Sequence, residues 1–532
     1  MAKTHWWRDG VIYQIYPRSF ADKNGDGIGD LQGIISRLDY IHDLGVDAIW
    51  LSPVYPSPMV DFGYDVADYC DIDPIFGNLQ VFDKLVEEAH SRNIRIIMDL
   101  VLNHTSDQHP WFLESRSSRD NPKRDWYIWR DGKSGGRRPN NWASIFGGWA
   151  WDYDERTSQY YYHMFCPQQP DLNWRNPEVR SAMMDIFRFW MERGVDGFRL
   201  DVFNEYFKDS QFRDNPKKFG IRPFECQEHI YDADQPEMMS VVEEIRRVTN
   251  VYPERYVVGE TFLAGPEKAA KYIGDEKLHA AFNFELLGCP WDAGRMQTAL
   301  QRWENTLAVD GWPTLVLNNH DNKRSASRYG KGENDDRNKE AAVLLLTARG
   351  TPFLYYGEEI GMRNIHVPYS KIQDPPGKRY YPFFPTRDAC RSPMQWDATQ
   401  QAGFSSAEPW MPVHPNYLFR NVETQQKDPD SLLNVYKKLI KLRKEHIALQ
   451  QGLYQPLTFE PQMLMAYLRQ TPEEMILVAI NFGKRPIKLF LGGNLLGKNW
   501  ELLFSTKRKE VEKVKENAIR LIGNEAIIVK VE

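Results

Sequence analysis

Three acidic residues each stand at the end of a short apolar run. Asp201 ends Gly197-Phe198-Arg199-Leu200-Asp201, Glu260 follows Val258-Gly259, and Asp321 ends Asn318-Asn319-His320-Asp321. A fourth run, Ile96-Ile97-Met98-Asp99-Leu100-Val101, leads into Leu102-Asn103-His104. Two carboxyl groups held roughly 5–5.5 Å apart can open a glycosidic bond with retention, one as nucleophile and one as proton donor. Arg199 and Asp201 share one face of a strand because side chains alternate with period two. A guanidinium beside Asp201 favours its ionised form, which suits the nucleophile. Glu260 has no adjacent cation in the sequence, and neighbouring carboxylates would raise its proton affinity, which suits the acid. Asp321 is left to hold sugar hydroxyls and stabilise an oxocarbenium-like transition state, with His104 and His320 donating to hydroxyls as neutral rings. Any one of these residues alone is more often a cap or a loop hydrogen-bonder. The set, at the ends of four runs, points to chemistry.

Something must bring those ends together. Runs at 11–16, 46–54, 94–101, 195–202, 256–261, 281–284, 314–317 and 352–356 read as buried strands. Helical patterns such as 79–91 and 178–193 lie between them. The expected fold class is α/β, a (β/α)₈ TIM barrel, whose active site lies at the C-terminal ends of its strands. The stretch after the third strand is too long for a loop and should be an inserted domain. The expected segmentation is barrel 1–103, insertion 104–174, barrel 175–453 and a C-terminal antiparallel β-sandwich 454–532, with 431–449 as the last barrel helix. In the last part, strands are read at 464–468, 475–481, 487–491 and 526–531. The Met-rich stretch 183–191 reads as barrel packing.

The motifs Asp99-Leu-Val-Leu-Asn103-His104, Gly197-Phe-Arg199-Leu-Asp201, Gly259-Glu260 and Asn319-His320-Asp321 resemble the four signature regions of the α-amylase superfamily, glycoside hydrolase family 13. Gln169-Pro-Asp-Leu-Asn-Trp174 resembles its fifth region in the form found in the α-glucosidase and oligo-1,6-glucosidase branch. The resemblance spans nearly the whole chain and implies Asp201 as nucleophile, Glu260 as acid/base and Asp321 as transition-state stabiliser. It further implies that His104, Arg199 and His320 bind the sugar, and that Tyr64, in Asp61-Phe-Gly-Tyr64-Asp65, stacks under it. Asp61 is expected to pair with an arginine, Arg391 or the nearby Arg387, closing the pocket beyond the non-reducing-end glucose. Phe146, Phe165 and Gln169 would complete the wall. The implied activity is exo-acting release of glucose from maltose- or isomaltose-type ends. Val202 is associated in that branch with α-1,6 links, whereas Phe203-Asn204-Glu205 and Asn322-Lys323-Arg324 depart from the usual continuations. A sucrose isomerase or transglucosidase would use the same covalent intermediate. A non-catalytic transporter-accessory protein would lack part of the carboxylate set, which is intact here.

Asp22-Lys-Asn24-Gly-Asp26-Gly-Ile28-Gly-Asp30 places oxygen side chains at alternating positions, with the Ile28 carbonyl at the seventh. It resembles the first nine positions of a calcium loop and is expected to hold a structural Ca²⁺ or Mg²⁺, although Gly33 replaces the final glutamate. No catalytic cofactor is expected. The net charge of −6 lacks the basic face of a nucleic-acid binder, and the run Lys507-Arg508-Lys509 is diluted by Glu510, Glu512 and Glu516. Five scattered cysteines make no metal or disulfide pattern. There is no apolar leader and no 18-residue apolar run, so no membrane contact is expected and the default location is the cytoplasm. Aromatic residues make up 13 % of the chain, which suits stacking on sugar rings. Nothing in the sequence selects between a monomer and a homodimer.

Overall fold

The computed structural model describes residues 5–531 apart from 263–264, 309–310, 331, 458–462, 493–494, 496–497 and 509–517. The expected apolar runs form strands: β1 (Ile12–Ile15), β2 (Ala48–Leu51) and β3 (Arg95–Leu100). After them come β4 (Trp129–Arg130), β5 (Trp151–Asp154) and β6 (Gln159–Tyr162), then β7 (Gly197–Leu200) and β8 (Tyr256–Gly259). β9 (Ala280–Ala281), β10 (Thr314–Val316) and β11 (Thr351–Tyr355) complete the barrel. Parallel pairing runs in the order β10-β11-β1-β2-β3-β7-β8-β9. Strands buried on both faces read as continuous apolar runs, and β1, β2 and β7 are buried at every position. Between β9 and β10 a side chain makes the seam. The Thr314 hydroxyl donates to the Ala281 carbonyl at 3.0 Å and accepts from the Asn283 N–H at 3.3 Å. That arrangement ends β9 after two residues, where the sequence suggested a strand over 281–284.

Helices clamp the barrel through one apolar stripe each. Leu79–Ser91 starts at Asn78, whose side chain accepts from Val81 N, and buries Phe82, Leu85, Val86 and Ala89 at helical spacing. Pro177–Glu192 begins with Asn176 as cap and proline at the first turn, and it buries Met183, Met184, Phe187, Trp190 and Met191. The Met-rich stretch is barrel packing. The last expected helix is two, Leu432–Glu445 and Ile447–Gln451, because His446 takes an extended backbone between them.

Three excursions rise from the strand ends. The insertion after β3 carries β4, β6 and β5 as one antiparallel sheet, joined to the barrel where Asn103 Nδ2 donates to Asp171 at 2.9 Å. The connections after β7 and after β11 are also long, and the second of these holds only short helices up to residue 431. The chain ends in β12 (Leu453–Leu457), β13 (Leu464–Gln470), β14 (Met475–Asn481), β15 (Ile487–Phe490), β16 (Trp500–Ser505), β17 (Ala518–Leu521) and β18 (Ala526–Val531). They form antiparallel sheets β12-β13-β14-β18-β16 and β15-β17 that share one apolar core, including Leu477, Leu489, Ile519 and Val529. Lys507 and Arg508 pair with Asp336 and Glu525, while Lys509, Glu510, Glu512 and Glu516 lie outside the described residues. Among the described residues no helix is long and apolar enough to cross a membrane.

Candidate active site

At the C-terminal ends of β3, β7 and β8 one guanidinium organises three carboxyl groups. Arg199 Nη1 donates to Asp99 Oδ1 at 2.8 Å and to Asp201 Oδ1 at 2.6 Å, while Nη2 donates to Glu260. The period-two argument places Arg199 and Asp201 on one face as expected. It did not anticipate that the same cation would reach Glu260, so a cation beside Asp201 alone cannot separate the two roles. Burial drives the Asp201 carboxyl well above the usual range, with Glu260 and Asp99 adding to the rise and Arg199 opposing it. Asp99, also raised chiefly by burial, lies at about 6. Asp201 and Asp99 therefore both hold a proton more tightly than free carboxyls do, because burial outweighs the Arg199 guanidinium. Val202, next along, has φ of 33°, a left-handed backbone that β-branched residues rarely adopt. That turn aims the Val202 side chain into the cavity and its N–H at Glu260 Oε2, 3.4 Å away.

A chain of donors fixes the neighbouring aromatic rings. Gln14 Nε2 donates to His320 Nδ1 at 2.8 Å, which leaves the ring proton on Nε2 facing Tyr64 Oη at 2.6 Å. Tyr64 in turn donates to Asp99 Oδ2 at 3.1 Å, and Trp50 Nε1 donates to the same oxygen at 3.2 Å. The Tyr64 and His320 ring centroids lie 5.3 Å apart with planes parallel to within 1°. Burial pushes the His320 pKa down to about 3 and that of His104 down to about 4, so both rings are neutral donors. His104 Nε2 lies 3.0 Å from the Tyr64 carbonyl.

The opposite side of the site is built on two arginines from the connection after β11. Arg391 Nη2 donates to Asp321 Oδ1 at 2.7 Å, and its Nε donates to the His320 carbonyl. Arg387 Nη2 donates to Asp61 Oδ1 at 2.7 Å, its Nη1 reaches Asp321 at 3.3 Å, and its Nε donates to Asp374 at 2.6 Å. The partner of Asp61 is thus Arg387, and the expectation for Arg391 is corrected. The two stand at either end of one tight turn, Arg387–Cys390 with Arg391 as its cap, so they project to different carboxylates. Burial would raise Asp321, but His320 and then the guanidiniums around it hold it well below the ordinary carboxylate range. Asp61 is raised by burial, against the pull of Arg387 and Arg391.

These groups surround a cavity of about 920 Å³. Asp61, Tyr64, His104, Phe146, Phe165, Asp201, Glu260 and Asp321 line it, and Phe146 lies 4.9 Å beneath the Arg387 guanidinium. Arg199, His320, Arg391 and Gln169 are buried behind that lining, each no more than 1 % exposed. Gln169 supports the wall from there, donating to Asp61 at 3.3 Å and to the Tyr64 carbonyl at 3.2 Å. The outer part of the cavity is bounded by Phe262, Ile365, Tyr381, Pro382 and Phe384. The sequence reading missed Arg387's link to Asp374 and the roles of Asp99, Trp50 and Gln14. Asp99 carried a visible signal, as the one charge inside an otherwise apolar strand core.

The Asp22–Asp30 loop follows β1, away from the cavity. Asp22 accepts from Gly25 N, Gly27 N and Ser405 Oγ at 2.7, 2.8 and 2.6 Å. Asp26 accepts from Ile28 N, and Asp30 caps Leu31–Ser36 by accepting from Gly33 N. Asn24 Oδ1 accepts from Asp26 N. Among the described residues no three His, Cys, Asp or Glu side chains converge as a metal set. The oxygen donors of the loop are Asp22, Asn24, Asp26, Asp30 and the Ile28 carbonyl.

Residues 14–452 match the α-amylase catalytic domain. A probable α-glucosidase of Rhizobium meliloti is 47 % identical over 84 % of each chain. An oligo-1,6-glucosidase of Parageobacillus thermoglucosidasius is 41 % identical over 99 % of each. The solved structure of an α-glucosyl transfer enzyme superposes with a TM-score of 0.95 at 41 % identity, covering 100 % of both chains. With its motifs in order at the ends of the barrel strands and its relatives matched over nearly their full length, the chain belongs to the α-amylase family of enzymes, glycoside hydrolase family 13.

Proposed function

We propose that the protein is an exo-acting, retaining α-glucosidase that releases terminal α-linked glucose from short cytoplasmic oligosaccharides of the maltose or isomaltose type. The observation that carries this is the pairing of Asp201 and Glu260 with two nitrogens of one guanidinium, at the floor of a cavity whose end is closed by Asp61 and Arg387. Two carboxyls bonded to one guanidinium stand close together, which supports the closer spacing of a retaining pair, roughly 5–5.5 Å, over the roughly 6.5–9.5 Å that admits an inverting water. Asp201 attacks the anomeric carbon while Glu260 gives its proton to the departing oxygen, leaving a glucosyl ester on Asp201. Glu260 then takes a proton from the incoming water, which displaces Asp201 and restores the α-anomer. Asp321, kept ionised by Arg387 and Arg391, faces the positive charge that develops on the ring. The names of the relatives support α-glucoside substrates, and the Asp61–Arg387 pair supports chain-end attack.

Glucose release from maltose, isomaltose, sucrose and starch, assayed side by side with the product anomer recorded, tests this reading. Fast α-glucose release from disaccharides with little from starch is expected, and silence on all four refutes it. One observation favours transfer to a sugar or alcohol as a second outcome of the same intermediate. The apolar outer wall of Phe262, Ile365, Tyr381 and Phe384 stands where water must approach, and a close structural relative is an α-glucosyl transfer enzyme. Glucosylated acceptor exceeding free glucose in the presence of a small alcohol would establish it. We also propose that the Asp22–Asp30 loop binds a structural Ca²⁺ or Mg²⁺ through the donors named above.

A further inference from the structure

Asp374 lies outside the motifs, is wholly buried and does not line the cavity, yet it holds the residue that closes the pocket. Its Oδ1 accepts from Arg387 Nε at 2.6 Å, and its Oδ2 accepts from the Arg387 N–H at 3.0 Å and from the Gly377 N–H at 3.2 Å. The last bond caps the short helix Pro375–Arg379. Asp388 completes a clamp, accepting from the N–H groups of Gln373 and Asp374 at 2.6 and 3.0 Å. The clamp pins the base of the loop 375–386, whose Tyr381, Pro382 and Phe384 form the outer cavity wall. Arg387 thus has its Nε at the base of the outer wall and its Nη groups on Asp61 and Asp321 at the glucose end.

We propose that Asp374 is the positioning residue that ties the end wall of the glucose pocket to the loop forming its outer wall, so that rejection of chains extended past the non-reducing end depends on this buried carboxylate. The assignment rests on the chain-end reading of the pocket. A long arginine side chain has many rotamers, and Asp61 and Asp321 grip only its tip. Fixing Nε as well leaves the guanidinium plane one orientation, over the Phe146 ring at 4.9 Å. Without Asp374 the tip retains its partners, but the plane is free to tilt and the wall opens. The loss should fall on binding and selectivity more than on the chemical step.

The test compares the wild-type enzyme with D374A, D374N, R387A and the double variant D374A/R387A. One probe is 4-nitrophenyl α-glucoside. The other is 4-nitrophenyl α-maltoside with its non-reducing-end hydroxyls blocked, which releases nitrophenol directly only if the pocket admits a second ring beyond the cleavage site. In D374A, KM for the glucoside should rise about ten- to hundredfold, the loss of one charge-assisted bond, with a much smaller change in kcat. The kcat/KM ratio of blocked to free probe should rise at least about tenfold, and the double variant should match R387A because Asp374 acts through Arg387. D374N keeps one acceptor oxygen and the side-chain shape, so it should fold and shift the ratio in the same direction. Rejection of the blocked probe by the wild type, D374A and D374N alike overturns the Asp374 assignment alone, as does additivity of the two alanine changes. Cleavage of that probe by the wild type overturns the chain-end reading and this assignment with it.

Discussion

Asp99→Asn should separate stability from activity in opposite directions. Asp99 is 1 % exposed beneath Arg199, and its two oxygens accept from Arg199, Trp50 and Tyr64. Burial lifts its pKa to about 6, with Arg199 opposing, against about 3.9 in an unfolded chain. Because the folded value is the higher one, Asp99 contributes stability that is full below pH 4 and lost as the pH climbs through 6. Two units at about 1.4 kcal/mol each make that loss about 3 kcal/mol by pH 7. Asparagine cannot ionise and escapes it. Its amide, however, presents only one acceptor group to three donors, and a donor left unsatisfied costs about 1–3 kcal/mol. At pH 7 the variant should therefore be between equally stable and about 2 kcal/mol more stable. With about 2.1 cal/mol/K of unfolding entropy per residue over 532 residues, 1 kcal/mol moves Tm by about 1 °C. The expected shift is upward by about 2 °C at most, shrinking or reversing at pH 4.5. Turnover should fall about a hundredfold, since Arg199 loses one of the carboxylates that fix it between Asp201 and Glu260. The assays are thermal unfolding at the two pH values and kcat/KM for glucose release. A Tm lowered by more than about 5 °C at pH 7, or undiminished turnover, refutes the charge argument.

Glu260→Gln should lower kcat/KM by about 10²–10⁴ on natural glucosides and far less on a 4-nitrophenyl leaving group that needs no proton, whose turnover then stalls at the glucosyl ester for want of the base. Thermal protection by glucose, measured in parallel, should survive, and Asp201→Asn should form no covalent adduct with a slow substrate by mass spectrometry. His104→Asn should flatten the acid side of the stability curve. Burial depresses the His104 pKa from 6.5 to about 4, so its contribution is full above pH 6.5 and about 3 kcal/mol is lost as the pH falls to 4. Unfolding at pH 7 and 4.5 reads that slope, and an identical slope in the variant counts against a neutral, buried ring. A chelator should lower Tm, millimolar Ca²⁺ should restore it, and Asp26→Ala should abolish the difference. Equal Tm with and without chelator in the unsubstituted enzyme rejects the loop as a cation site.

What was legible in the sequence follows the physics of periodicity. The barrel strands announce themselves because both faces are buried, and helix Leu79–Ser91 because its apolar stripe and Asn78 cap coincide. The C-terminal strands β12, β16 and β17 gave no such signal. β12 has no fully buried residue and carries Pro456, and β16 has its alternation broken by a bulge between Leu502 and Phe504. At the site, residues fixed by strand ends could be named in advance. Arg387 could not be chosen over Arg391, since its partner Asp61 lies 326 positions away and the connecting segment has no regular period to orient it. Asp374 is silent for the same reason. An acidic residue before Pro375-Pro376 reads as a turn, and only the fold shows that the turn ends on the pocket's closing arginine.

The two charge groups of the site explain why its carboxyls differ although they sit within one cavity. Asp99, Asp201 and Glu260 share a single guanidinium, Arg199, and burial raises Asp99 and Asp201 although that cation opposes it. Asp61, Asp321 and Asp374 share two, Arg387 and Arg391, and Asp321, bonded to both, is held as a carboxylate while burial still raises Asp61. A retaining mechanism needs this division. One proton must be available beside the leaving oxygen, and one anion must never take it. Replacing Arg199 by an uncharged side chain would raise Asp99 and Asp201 further and silence the nucleophile. Replacing Arg391 would do the reverse, letting Asp321 compete for the proton while Asp201 and Glu260 keep their geometry. The order in which activity is lost across pH in those two variants would therefore differ. R199M should have its acid limb moved to higher pH, because protonation of Asp201 then reaches further into the working range. R391M should keep the limb but respond more weakly to substrates whose transition states carry full positive charge.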